Sequence, residues 1–278
     1  MTARRLIGGA IYALSAAIGI LAFIYPFFAP ATSQAAGVYA HSQDAPLLTA
    51  ALVALSVVAL LVELQGQAIS AKTVAMLGVL VAVTSVLRFL EVAFPMPGGF
   101  SPIFAPIIIS GYVFGGRFGY LMGTFTLLTS ALITGGVGPW LPYQMFTAGW
   151  AGLTAGWLKN ISGLKGHGAS HHKSLELGAW DLGVLSFFGF LWGLLYGIIV
   201  NVYFWPFAAG PASQSWAPGI GLRETLGRYA VFYAVTSLTW DLFRAAGNVF
   251  LILVLGVPMA KTLTRFRQRF NFQVRSHA

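Results

Sequence analysis

The chain contains no cysteine and very little charge. The first absence excludes disulfides, thiolate metal sites and cysteine nucleophiles, and leaves the redox compartment unmarked. The second is more restrictive. Only 8% of the 278 residues are charged, against about 25% in a soluble protein, which excludes an ordinary soluble domain. No G-x-x-x-x-G-K-[ST] sequence occurs, so the chain does not hydrolyse nucleotide through a P-loop. None of the five histidines (His41, His167, His171, His172, His277) falls in an apolar run, so no serine–histidine pair is available there. Paired aspartates are missing as well: Asp241 stands alone near the middle of its run, and Asp181 sits at a helix entrance. Enzyme function has little support in the sequence.

What is present is apolar: 57% of the residues are hydrophobic. Runs bounded by charge or by Pro and Gly clusters are Leu6–Phe28, Leu47–Leu64, Val74–Phe94, Ile103–Phe114, Phe118–Thr134, Met145–Leu158, Leu182–Phe204 and a long stretch from Tyr229 to about Leu255. A span needs roughly 20 apolar residues, so these predict an all-α polytopic membrane helix bundle of about eight spans. The fourth and sixth are short enough to be tilted or re-entrant. The first run follows Arg4 and Arg5 like a signal peptide, but it is long and lacks a small-residue cleavage site before Pro26 and Pro30, which predicts a retained helix.

The formal +9 would suggest nucleic acid on a soluble protein. Here the positions of the charges give it another meaning. With a cytoplasmic N-terminus, eight crossings place Arg4, Arg5, Lys72, Arg117, Lys159, Lys165, Lys173, Lys261, Arg265, Arg267, Arg269 and Arg275 inside, and only Arg223 and Arg228 outside. That bias predicts both termini on the cytoplasmic face of the cell membrane. The surplus then reports topology and contact with the lipid bilayer, not nucleic acid. The basic run from Arg265 to Arg269 reads as a snorkelling helix end, with a cytoplasmic docking role as a secondary reading.

Small residues recur every fourth position in three runs: Gly115, Gly119, Gly123; Ala148, Gly152, Gly156; and Gly189, Gly193, Gly197. Such stripes let helix backbones approach in lipid, either inside a bundle or at a partner surface. The partner reading suits Ala71, Ala75, Gly78 and Ala82 best, because they begin the third run at the cytoplasmic side. The loop Asn160–Ser174 carries Ser170-His171-His172, which is weak support for a metal site, and none is expected.

The costly residues at depth are Arg88 with Glu91, Asn201, and Asp241, Arg244 and Asn248. Intramembrane charges cost about 2.5–3.5 kcal/mol each on insertion scales and normally face a bundle interior or an aqueous cavity. Both couples are spaced i, i+3, so each can neutralise itself on one helix face. They read equally as structural ion pairs or as ligand contacts. Two external loops are too apolar for solvated turns: Pro95-Met96-Pro97-Gly98-Gly99-Phe100, and Gly135-Gly136-Val137-Gly138-Pro139-Trp140-Leu141-Pro142-Tyr143-Gln144. They can cap a pocket in which Trp140 and Tyr143 stack on a flat ligand and Gln144 supplies hydrogen bonds. An interfacial aromatic belt explains the same residues, and is the expected role of Trp205 and Trp216.

The block Gly98-Gly99-Phe100-Ser101-Pro102-Ile103-Phe104, then Gly111-Tyr112-Val113-Phe114-Gly115 with Arg117-Phe118-Gly119, then the loop from Gly135 through Gln144 to Met145, and finally Asp241-x-x-Arg244-x-x-Gly247-Asn248, resembles the substrate-binding S components of energy-coupling factor (ECF) transporters. The resemblance covers roughly residues 71–270, and the cobalamin-type group is the one most resembled. It implies a six-helix core (71–278) that binds a vitamin-like ligand from outside and associates with a transmembrane coupling protein and two ATPases. ATP would then be used by those subunits, with no cofactor bound by this chain. It also implies that Ala71 and Ala75, matching an alanine-x-x-x-alanine pattern and continued by Gly78 and Ala82, contact the coupling protein. Residues 1–70, a two-helix membrane extension, depart from the six-helix plan. Two other readings fit the residues: a stand-alone carrier in which Asp241 and Arg244 couple substrate to protons, and a membrane assembly protein for which the small-residue stripes suffice.

Overall fold

The computed structural model describes residues 2–28, 44–65, 71–94, 97–160 and 177–270. The Ser170-His171-His172 cluster, Pro95, Met96 and Arg275 lie outside them. The described residues form nine α-helices and no strand: α1 (Thr2–Ile24), α2 (Asp44–Gln65), α3 (Ala71–Ala93), α4 (Phe104–Phe114), α5 (Gly116–Thr134), α6 (Leu141–Ala155), α7 (Ala179–Phe204), α8 (Leu222–Thr236) and α9 (Leu238–Phe270). Helices pair the backbone polar groups of their interiors within one segment, as hydrocarbon surroundings require. Among the described residues, four helical stretches are long and apolar enough to cross a membrane: Gly9–Phe28, Ala71–Ala93, Ala179–Phe207 and Leu238–Arg267. The fold is thus the expected all-α membrane bundle.

The two short runs are short helices. At 1.5 Å per residue, the 11-residue α4 extends only about 16 Å, yet Ile107, Ile108, Ile109, Tyr112 and Val113 are fully buried. It is shielded by α5, α6 and α9. Its chain reverses at Gly115 (φ 106°), a backbone conformation that favours glycine. Gly115 has no neighbour that a Cβ would meet, so it belongs to the corner and not to the packing stripe in which its spacing placed it. Gly116 takes that place, against Leu153 and Gly156.

The other stripes are internal. Gly119 lies on the backbone of Gly152, and Gly123 on the backbone of Ala148, so α5 and α6 touch main chain to main chain. Gly189, Gly193 and Gly197 of α7 receive Ile252, Ala245 and Asp241 of α9. Small residues at these points gain dispersion contact that larger ones would block.

The long stretch expected from Tyr229 to Leu255 is two helices. The chain leaves helical geometry at Ser237 (φ −131°, ψ −27°). The Thr236 hydroxyl donates to the carbonyl of Phe232 (2.8 Å), and Ser237 Oγ accepts from Asn201 Nδ2 (2.7 Å). Side-chain hydroxyls that bond back to the ladder bend or end helices. After this break α9 continues past Leu255 to Phe270.

Alternating helix direction gathers charge at one end. Lys72 begins α3, Arg117 begins α5, Lys159 follows α6, and Lys261, Arg265 and Arg267 close α9. The N-terminal hairpin packs on the other elements. Ser15 hydrogen-bonds the hydroxyl of Tyr120, Tyr12 meets the Tyr120 ring edge-on (5.4 Å), and Phe23 meets Tyr143 (5.0 Å).

Candidate functional site

The charged residues at depth come from two helices, α3 and α9, and meet a tyrosine of a third, α7. On α3, Arg88 pairs with Glu91, and the second carboxylate oxygen of Glu91 accepts from Ser101 Oγ at 2.8 Å. On α9, Arg244 pairs with the buried carboxylate of Asp241. Both pairs have the i, i+3 spacing that lets a helix neutralise itself. Arg244 Nη1 reaches the carbonyl of Gly193 on α7 (3.4 Å), and its guanidinium lies 5.1 Å from the centre of the Tyr196 ring, within cation–π range. Tyr196 is also within electrostatic reach of Arg88, Glu91 and Asp241. One tyrosine of α7 therefore sits among four charges from residues 88 to 244.

Glycine makes this approach feasible. A Cβ at Gly197 would overlap the Asp241 carboxylate, and one at Gly193 would overlap the backbone of Ala245. The Gly98-Gly99-Phe100 turn lies over the same part of α9. Gly98 (φ 68°) and Gly99 (φ 72°) pack on Phe243 and Trp240, and Phe100 covers Gly247. The turn thus fixes Ser101 beneath it, where that hydroxyl reaches Glu91.

The aromatic half of the expected site joins through α7. Tyr143 of α6 is fully buried and stacked on Tyr203 (4.2 Å, 10° between planes). Tyr203 stands seven residues beyond Tyr196, on the same face of α7. Phe104 of α4 meets the Tyr196 ring edge-on at 4.8 Å. Trp140 is half-buried and turned back on its own loop, donating from Nε1 to the carbonyl of Gly136 (3.1 Å). Gln144 is half-buried.

Two predicted residues bind elsewhere on α7 and α9. Asn201 donates to Ser237 Oγ (2.7 Å) at the α8–α9 break. Asn248 is fully buried and donates to the carbonyl of Gly189 (2.9 Å). Both join helices. Trp205 departs from its expected place in the headgroup belt: it is 2% exposed, donates to the Gln214 carbonyl (2.8 Å) and meets Tyr229 edge-on at 5.0 Å. A folded 205–216 segment buries it, which an isolated Trp at a helix end does not reveal.

Sequence reasoning did not single out Tyr196, Tyr203, Phe104 or Ser101 as site residues. The i, i+7 spacing of the two tyrosines in an otherwise apolar run is the signal that marks their common face.

The stripe Ala71, Ala75, Gly78 and Ala82 differs from the others. All four residues are exposed, and a Cβ at Gly78 would meet nothing within 4 Å. Valines beside it are exposed too, among them Val79 (59%) and Val83 (55%).

The family model described as "ECF transporter, substrate-specific component" matches residues 72–256, from the second residue of α3 to well inside α9. No curated protein and no solved structure gave a match.

Proposed function

The chain belongs to the substrate-specific components of ECF transporters, and from that premise we propose that it captures a flat, polar-edged micronutrient of the vitamin class at the Tyr196 cluster. Membership makes it a transport subunit, not an enzyme. It is a multi-pass membrane protein that takes a small-molecule substrate and works in a complex with coupling and ATPase subunits.

The observation that carries the ligand reading is the convergence of Arg88–Glu91 and Asp241–Arg244 around one tyrosine. Bundle stability alone does not call for four charges at one depth, because well-packed apolar residues serve as well or better. Clustered charges on two helices, with aromatic faces of a third beside them, supply what a ligand with a flat ring and polar edges needs. In this reading Arg88, Glu91, Asp241 and Arg244 contact the polar edges, and Phe100, Trp140, Tyr143 and Gln144 close the mouth. Asn201 and Asn248, expected at the site, brace α7 against Ser237 and α9 instead. A corrinoid of the cobalamin type is the first ligand to test, supported by the likeness of the Gly-Pro-aromatic loops to that group. The ligand enters from the end opposite the basic residues, so both termini are cytoplasmic.

The exposed Ala71–Ala75–Gly78–Ala82 face supports docking of the coupling protein on α3. Lacking a P-loop, the chain relies on the two ATPases of that assembly for ATP hydrolysis.

The test uses the full chain purified in detergent, without ATP, and screened against a vitamin panel including cyanocobalamin. Mass spectrometry identifies any small molecule retained from the cell. One vitamin is expected to bind at one per chain, and Arg244→Gln to weaken it. A different vitamin replaces the corrinoid and keeps the class. Failure of every vitamin to bind more tightly than about 1 mM, only about −4 kcal/mol, overturns the reading.

A further inference from the structure

At the opposite end of the bundle two cations share one acceptor. Lys159 Nζ donates to the Val113 carbonyl at 2.6 Å, and Arg267 Nη1 donates to the same oxygen at 2.9 Å. That oxygen belongs to the last turn of α4, where carbonyls lack intrahelical partners and carry partial negative charge. It does not neutralise two full positive charges. Neither cation has a carboxylate partner among the described residues. Asp181, in the first turn of α7, is already engaged by the Gly178 N–H (3.1 Å) and the Tyr112 hydroxyl (3.4 Å). Burial, and secondarily Arg267, lowers the Lys159 ammonium from its ordinary 10.5 to about 8, as expected of a site short of an anion.

The residues just before Lys159 open onto apolar surface. Trp157 and Leu158, with Trp180, Gly183, Phe187 and Leu191 of α7, line a cleft of about 620 Å³. Three of these side chains are largely exposed: Trp157 (61%), Trp180 (68%) and Phe187 (64%). A cation pair with no carboxylate partner among the described residues thus adjoins an apolar cleft at the basic end of a membrane bundle.

We infer that this is a binding site for an anionic phospholipid, with the phosphate on Lys159 and Arg267 and an acyl chain in the α6–α7 cleft. Charge complementarity selects this occupant. An anion relieves the cation pair, and the adjoining cleft takes hydrocarbon. Basic pockets between helices at a cytoplasmic surface hold anionic headgroups in this way. The inference does not depend on which substrate is carried.

The test is fluorescence quenching of the full chain in vesicles of phosphatidylcholine mixed with phosphatidylglycerol, with bromine on the acyl chains of one lipid at a time. Subtracting the Trp157→Phe/Trp180→Phe signal isolates the cleft. Half-quenching is expected at about tenfold lower mole fraction of the anionic lipid. Lys159→Gln/Arg267→Gln should abolish that preference, and Lys159→Arg should retain it. Gly183→Leu, where a side chain meets nothing within 4 Å, should reduce quenching by filling the cleft while both cations stay in place. Inorganic phosphate at millimolar concentration should not compete. Equal quenching by the two lipids, a preference that survives the double substitution, or protection of the cleft only by the coupling protein, would overturn the inference.

Discussion

Asp241 is 2% exposed, and its carboxylate is held against Gly197 with Arg244 as its counter-ion. A buried pair adds little net stability, but a buried charge left alone is expensive, at about 3–5 kcal/mol. Arg244→Met should therefore lower the thermal unfolding midpoint sharply, and Asp241→Asn/Arg244→Met should recover most of the loss because no charge is stranded. Ligand binding should stay weak in both. Unfolding curves in detergent read the first effect, and the vitamin titration reads the second. Equal stability of the single and double variants would show that Asp241 is not a stranded charge. Lys159 offers a second residue-scale check. Its pKa falls from 10.5 to about 8 on folding, so the folded state sheds the proton first. The stability this group contributes is present above pH 10.5 and is lost as pH falls through about 8. The midpoint of the protein should thus rise between those values relative to Lys159→Met, which removes the titrating group. Parallel pH curves for the two proteins would contradict it.

At the scale of the helices, four-residue spacing of small side chains is common to the stripes, but it does not say what each stripe faces. Gly152 lies on the backbone of Gly119, whereas a side chain at Gly78 would meet open space. Gly152→Val should fail to give a monodisperse protein, since overpacking that side-chain motion relieves costs about 1–3 kcal/mol and backbone cannot move aside as a side chain does. Gly78→Val should fold normally and lose capture of the coupling protein, scored by size-exclusion chromatography and co-purification. Undiminished capture would remove α3 as the docking face. The sequence made the stripes visible because small residues at i, i+4 report that a face exists, while burial depends on which helices assemble around it. The same limit explains Gly115 and Ser237. A corner glycine with positive φ fits a stripe by spacing alone, and the helix break at Ser237 lies inside a stretch from Tyr229 to about Leu255 that reads as one long helix. The pairs Arg88–Glu91 and Asp241–Arg244 were legible because their partners are local. Tyr196 was not, because its role comes from contacts with α4 and α9 and from charges on α3 that no local pattern encodes.

For the molecule as a whole, the question is how the N-terminal hairpin relates to the seven described helices after it, where the resemblance implied six because α8 and α9 read as one span. The family match begins at residue 72, yet α1 covers the aromatic flank of α5 and α6. Gly19 lies on Phe146 and Trp150, and Phe23 on Tyr143 and Trp150. Rings packed this closely gain dispersion contact in lipid, so α1 acts as a packed part of the bundle wall. Its flank is not the α3 face, because α3 packs chiefly on α5. A hairpin fixed to α6 should therefore leave both ligand capture and docking of the coupling protein intact. The absence of native cysteine makes the experiment selective: Gly19→Cys/Trp150→Cys, joined by a short thiol-reactive cross-linker, forms one defined tether. The tethered protein should match the reduced, unlinked variant in vitamin affinity and in co-purification with the coupling protein, and should unfold at higher temperature. Loss of ligand capture on tethering would show instead that α1 must move away from Tyr143 for the site to open. Loss of docking alone would place the hairpin, not α3, at the interface with the coupling protein.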